Sequence, residues 1–296
     1  MSKKNRENRK HQGPKSPKRP ENFHSFSDCI KWLKKSVYIV VRGRKVKVDE
    51  KEVINWITLG SGFVAAPNRF VTAAHVVNDP EKGELNQHQD GDKYYLLRHD
   101  DENNWHWRIL ELKVDKEIFI YPNIDLAIIY LDNEFYQVGD KIIADRNDFI
   151  RISKEFLLIG SEVGVLGYPL CKLEFKERDL NKPLIGNILL RADQGVVNCR
   201  YQASEKDFLY EFTLAFNPGN SGGPIFDTKT GKVVSIVRGY KVLRINEKEN
   251  IISDEGAKQL KVYKEKAFIE TLNATYSFGF ATPTFLEVFK KHNIIS

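Results

Sequence analysis

Cysteine and long apolar runs are both scarce in this 296-residue chain. No segment reaches the roughly 20 consecutive apolar residues that a membrane-spanning helix needs. The N-terminus also lacks an apolar stretch of signal-peptide length. The three cysteines, Cys29, Cys171 and Cys199, are odd in number and far apart, which argues against a disulfide framework and fits a reducing compartment. There is no CxxC pair, no phosphate-cradling glycine loop and no fixed-period repeat, so no cofactor is expected. These absences leave a soluble, cytoplasmic chain, long enough for one large domain or two small ones.

Positive charge gathers at one end. Residues 1 to 20, MSKKNRENRKHQGPKSPKRP, hold eight Lys or Arg against Glu7 alone, so this stretch carries +7 and the rest −1 of a total of +6. The composition predicts a disordered tail. It serves either as a solvated solubilising segment or as a contact for nucleic acid, anionic lipid or an acidic partner.

After the tail, NFHSFSDCIKWLKKS has the spacing of a short amphipathic helix, with Ser25 or Ser27 as its cap. Short β-branched and aromatic runs follow: VYIVVRG, INWITLGSGFVAA, RFVTAAHVV, WRILELKV and DLAIIYL. A polar stretch around residues 139 to 154 separates them from a second set: FLLIGSEVGVLGYP, PLIGNILLRADQGVVNCR, FLYEFTLAF, KVVSIVRGYKVL and ATYSFGFATP. Two groups of about six strands without alternating helices predict an all-β protein of two sheets or barrels. TFLEVFKKHNII predicts a closing helix.

The stretch FNPGNSGGPIF, residues 216 to 226, sets three glycines and two prolines around Ser221. Such a run makes poor helix and poor strand, but it suits a nucleophile. A serine hydroxyl needs a base to remove its proton, and the oxyanion it generates needs donors. Glycines keep the turn bare, so the Gly219 and Ser221 N–H groups can point outward. VTAAHVVND supplies the base, His75, at a strand end. NIDLAIIYL supplies a carboxylate, Asp125, at the head of an apolar run, where it needs a donor such as an imidazole N–H.

The ordered set TAAH, DLAII and GNSGGP resembles the chymotrypsin-like serine peptidases. GSGFVAA, VGVLGYP, DQGVV and FGFATP make it most similar to the HtrA-type branch. That resemblance implies two six-stranded antiparallel β-barrels with the site in the cleft between them. It also implies His75 as general base, Asp125 as its orienting partner and Ser221 as nucleophile. The boundaries it suggests are a tail at 1–20 and a protease domain at 21–286, with barrels at about 36–145 and 150–286, then a helix at 287–296.

Departures from the family are informative. Val76 stands where secreted trypsins often carry cysteine, and Asn220 where they carry the aspartate that receives a newly cut N-terminus. Activation by N-terminal cleavage is therefore not expected. With 13 residues after Pro283, the chain reads as a protease domain without a PDZ domain. The family pattern assigns the pocket floor to Ala215 and its wall to Val237, Arg238 and Gly239. An uncharged floor argues against Arg or Lys before the scissile bond.

The stretch RHDDENNWHW, residues 98 to 107, has the ligand types for a metal but reads better as a hydrophilic hairpin loop, so no metal is expected. Residues 244–275 look like an insertion at the cleft rim. Leu260, Tyr263 and Ala267 share one helical face and Ser253 is a candidate cap. Restricting access, receiving an activating partner and passive packing are all open for it. The function expected is a serine endopeptidase acting on protein or peptide substrates, in stress, quality control or defence. The alternative is a catalytically retired protease fold serving as a scaffold, with the tail binding nucleic acid.

Overall fold

Every residue from Val37 to Val41 is buried, yet alternate side chains go to different places. Tyr38 and Val40 pack with Phe70, Tyr94, Leu96 and Ile129. Val37, Ile39 and Val41 pack instead with Leu166 and Phe226, from the other half of the chain. A strand with both faces covered needs no polar alternation, which is why VYIVV reads as a continuous apolar run.

The computed structural model describes residues 19–48, 51–79, 87, 89–99, 107–112, 118–131, 137–138, 141–142, 148–169, 189–244 and 273–296. The basic tail up to residue 18, most of the acidic hairpin loop, Cys171 and residues 245–272 of the insertion lie outside them. Helix α1 (Phe26–Leu33) is capped by the Ser25 hydroxyl, which accepts from the Asp28 N–H at 3.1 Å.

The first group of strands is β1 (Val37–Val48), β2 (Lys51–Ala66), β3 (Arg69–Thr72), β4 (Lys93–His99), β5 (Trp107–Leu112), β6 (Ile118–Tyr121) and β7 (Leu126–Tyr130). The short helix α2 (Ala74–Val77) follows β3. β8 (Gln137–Val138) and β9 (Lys141–Ile142) form a small hairpin. The second group is β10 (Glu162–Gly167), β11 (Arg191–Gln202), β12 (Phe208–Phe212), β13 (Pro224–Asp227), β14 (Val233–Ile236), β15 (Gly239–Arg244) and β16 (Asn273–Phe280). Helix α3 (Leu286–Lys291) ends the chain, entered through a 3-10 turn at Thr282–Phe285.

Neighbouring strands run β5-β4-β1-β2-β3-β7-β6 in the first sheet and β14-β13-β10-β11-β12-β16-β15 in the second. All pair antiparallel. Each list has seven members, but its two ends are consecutive segments of chain. Only Val237 and Arg238 separate β14 from β15, and residues 113–117 separate β5 from β6. Each sheet is thus six strands with one strand broken, returning on itself as the chymotrypsin-like double barrel does.

His99 pairs with Trp107, so the polar stretch between them connects the β4–β5 hairpin. One boundary differs from the sequence reading. Arg19 belongs to the folded body rather than the tail. Its guanidinium donates to the carbonyls of Phe149 at 3.2 Å, Thr230 at 3.5 Å and Gly231 at 2.8 Å. Close by, Phe26 stacks on Phe226 and Cys29 is fully buried, its thiol pushed up to about 12 by desolvation.

The C-terminal segment returns from the second barrel to the first. His292, 2% exposed, lies between Tyr121 and Tyr130, whose hydroxyls are 2.6 Å from Nε2 and 2.8 Å from Nδ1. Arg69 donates to the His292 carbonyl at 2.9 Å and lies over the Tyr130 ring. Burial first, then the charges of Lys291 and Arg69, lowers the His292 pKa below the usual histidine value of 6.5. The unfolded chain therefore takes up this proton before the folded one does. Stability is fully present above that value and is lost as pH falls through the folded-state pKa. The urea midpoint should drop between pH 7.5 and 5.5, and His292→Gln, which cannot titrate, should show a smaller drop. An equal drop in both proteins would contradict this.

Candidate active site

TAAH lacks a capping side chain: Ala73 precedes α2 and makes no side-chain bond to it. The orphan N–H of His75 instead donates to Asp125 Oδ1 at 3.0 Å, fifty residues along the chain. The same carboxylate holds the ring. His75 Nδ1 is 2.8 Å from Asp125 Oδ2 and 3.0 Å from Oδ1. Asp125 thus fixes both the backbone and the imidazole of His75, leaving Nε2 as the ring nitrogen not engaged with the carboxylate.

Asp125 owes its position to the turn before β7. Pro122 opens a 3-10 turn, Pro122–Ile124, and the Asp125 N–H closes it onto the Pro122 carbonyl at 3.1 Å. Asp125 itself is left-handed, at φ 50 and ψ 47. Aspartate tolerates that region better than most residues. At 9% exposure the carboxylate is buried, with His75 on one side and Arg238 Nε 3.7 Å from Oδ2.

The glycine-rich loop is a sequence of tight turns. The Asn220 N–H bonds to the Asn217 carbonyl at 3.0 Å, with Pro218 second and Gly219 third at φ 99, the pattern of a type II turn. A Cβ at Gly222 (φ 81) would lie 2.1 Å from Thr72 Oγ1 and 2.3 Å from the Ser61 carbonyl, so the loop passes hard against β2 and β3. The Gly222 N–H bonds the Val237 carbonyl at 2.8 Å, and the Val237 N–H bonds the Gly223 carbonyl at 2.9 Å. Among the described residues, neither the Gly219 N–H nor the Ser221 N–H donates to a backbone carbonyl.

A cleft of about 630 Å³ brings these parts together. The first half of the chain contributes Ala74, His75, Asn78, Asp79, Pro122 and Asp125. The second contributes Phe216, Asn217, Pro218, Ser221, Val237, Arg238, Gly239 and Phe278. His75, Asp125, Ser221 and the wall segment Val237, Arg238 and Gly239 therefore share one cavity. Ala215 is not among the lining residues. It is exposed, with its N–H bonded to Asp193 Oδ2 at 2.9 Å, and buried Phe216 faces the cleft instead. No group of three or more His, Cys, Asp or Glu side chains suited to a metal occurs among the described residues.

Sequence reasoning passed over Ser61, Phe216 and Phe278. Ser61, fully buried in β2, donates its hydroxyl to the Gly219 carbonyl at 2.7 Å and accepts the Tyr168 N–H at 2.9 Å. Its own N–H bonds the Ser221 carbonyl at 2.8 Å. One residue of the first barrel thereby grips the glycine-rich loop of the second at two points. The available signal was a hydroxyl between two glycines in an otherwise apolar strand.

The model of the trypsin-like peptidase domain matches residues 60–236, more than half of the chain, so the chain belongs to that family. Among solved structures it is similar to the HtrA-type protease AlgW, solved with a decapeptide. The identity is 14%, the TM-score 0.53, and the match covers 91% of this chain and 67% of AlgW. It is also similar to the active form of the Rv3671c protease from M. tuberculosis. There the identity is 16% and the TM-score 0.50, with 94% and 92% of the two chains covered. At these identities the likeness establishes the fold. A comparison with curated proteins found no match.

Ser61→Ala removes the hydrogen bond from the Tyr168 N–H and the one to the Gly219 carbonyl, both in a buried setting. The expected cost is roughly 1–3 kcal/mol of stability, measurable by urea unfolding. A change below about 0.5 kcal/mol would show that the bridge carries no energetic weight.

Proposed function

We propose that this chain is a serine endopeptidase that hydrolyses peptide bonds in protein or peptide substrates. The observation that carries the reading is the bond between Asp125 and His75 Nδ1 at 2.8 Å, in a cleft that Ser221 also lines. His75 Nε2 takes the Ser221 Oγ proton as Oγ attacks the substrate carbonyl. Asp125 keeps the Nδ1–H tautomer and stabilises the imidazolium that forms. The Gly219 and Ser221 N–H groups, which among the described residues donate to no backbone carbonyl, receive the oxyanion. The imidazolium then protonates the leaving amine, the acyl group remains on Ser221, and water activated by His75 releases it.

The residue before the scissile bond should be small or medium and apolar. Phe216, Val237 and Phe278 give the cleft apolar walls, and none of the three carries a charge. Cytoplasmic placement is part of the same reading, supported by the free thiols of Cys29 and Cys199. An activating partner at residues 244–275 and a nucleic-acid contact through residues 1–20 are the regulatory elements it leaves open.

A peptide library digested by the wild type should be cut after Val, Ala, Leu or Ile, with broad preference, since one methylene is worth only about 1–3 kcal/mol. Ser221→Ala and His75→Ala should each lower kcat by several orders of magnitude, without adding in the double variant. Asp125→Asn should lower it by about 10⁴ by favouring the wrong tautomer, since asparagine also tolerates the left-handed conformation. Cleavage that survives in Ser221→Ala, or that falls chiefly after Arg or Lys, would overturn the reading.

A further inference from the structure

We infer that Arg238 makes this cleft select substrates with an acidic side chain within a few residues of the scissile bond. The inference rests on the serine-peptidase reading and names a substrate class for it. Among the described residues, three charged ones line the cleft: Asp79, Asp125 and Arg238. The two aspartates are buried at 8% and 9% exposure, whereas the Arg238 side chain is 40% exposed. Of these three, the charge most open to an incoming peptide is therefore the positive one.

Among the described residues, the guanidinium is held in place without its hydrogen-bonding capacity being used. It lies 4.9 Å from the Phe280 ring centroid and 5.8 Å from that of Phe278, within cation–π range of both. Its Nε lies 3.7 Å from Asp125 Oδ2, close enough for Coulomb attraction but beyond a hydrogen bond. No described residue accepts a hydrogen bond from the Arg238 side chain. Two aromatic faces and one buried anion thus orient a planar fork whose terminal N–H groups meet no acceptor among the described residues. Such a fork matches a carboxylate bidentately. Being already ordered, it loses less side-chain freedom on binding than a mobile surface arginine would.

The position also explains selectivity for substrate rather than free anions. Arg238 follows Val237, whose backbone is bonded to the Gly222–Gly223 segment directly after Ser221. A peptide lying across Ser221 carries its neighbouring side chains past this guanidinium.

The test uses full-length protein and internally quenched peptides with valine before the scissile bond. Glu or Gln is set two, three or four residues before the cut, or one or two after it. The expected result is that Glu raises kcat/KM about tenfold over Gln at one of these positions, with the gain shrinking as NaCl is added. Within Arg238→Gln the Glu/Gln ratio should fall to about one, and within Arg238→Glu lysine should be preferred at that position. Each ratio is taken within one protein, so a general loss of activity does not affect it. Binding of the same peptides to Ser221→Ala, with and without Arg238→Gln, gives the ratio without turnover. Ratios near one at every position in the wild type, or a Glu preference that persists in Arg238→Gln, overturn the inference. If Ser221-dependent cleavage occurs without a Glu preference, the peptidase reading stands and this inference falls. If no peptide is cut or bound, both fall.

Discussion

The contact between Asp125 and His75 constrains the rest of the site. A four-residue helix with alanine at its cap has no intrinsic reason to form, because its first N–H groups lack partners. The Asp125 carboxylate supplies one of those partners and the imidazole's orientation together. This ties the helix carrying His75 to the turn before β7. That turn is in turn held by Tyr121, whose hydroxyl meets the buried His292. The C-terminal segment of the second barrel thus braces the element of the first that positions the carboxylate.

A second seam joins the barrels at the glycine-rich loop. Ser61, from β2, and Val237, from the other barrel, are both hydrogen-bonded to it, and Thr72, from β3, lies against Gly222. Beneath lies the shared apolar cluster of Val37, Ile39, Val41, Leu166 and Phe226. Each fully buried side chain of this kind contributes about 1.5–3 kcal/mol. Among the described residues, the Gly219 and Ser221 N–H groups of the glycine-rich loop donate to no backbone carbonyl.

Much of this was legible in the residues. The apolar runs marked most strands, and the bare turn around Ser221 marked a loop that lines the cleft. Some strands went unmarked. β4 is a short apolar core, YYLL, between charged residues, and β13 begins with a proline that blends into the loop before it. The cap of α2 could not be read locally, since it comes from fifty residues away. That Phe216 rather than Ala215 lines the cleft could not be read locally either, since which of two adjacent residues faces it depends on how the chain leaves β12; the Ala215 N–H is bonded to Asp193 instead. Arg238 was visible as a wall residue, but its orientation needed the rings of Phe278 and Phe280.

The central claim is that Ser221 is a nucleophile activated by its neighbours in this cleft, and covalent labelling tests it most directly. Incubation with a fluorophosphonate, followed by intact-mass measurement and peptide mapping, should give one adduct per chain on the peptide containing Ser221. Asp125→Asn should label far more slowly. Absence of an adduct on the folded protein, or an adduct on a different residue, would contradict the account.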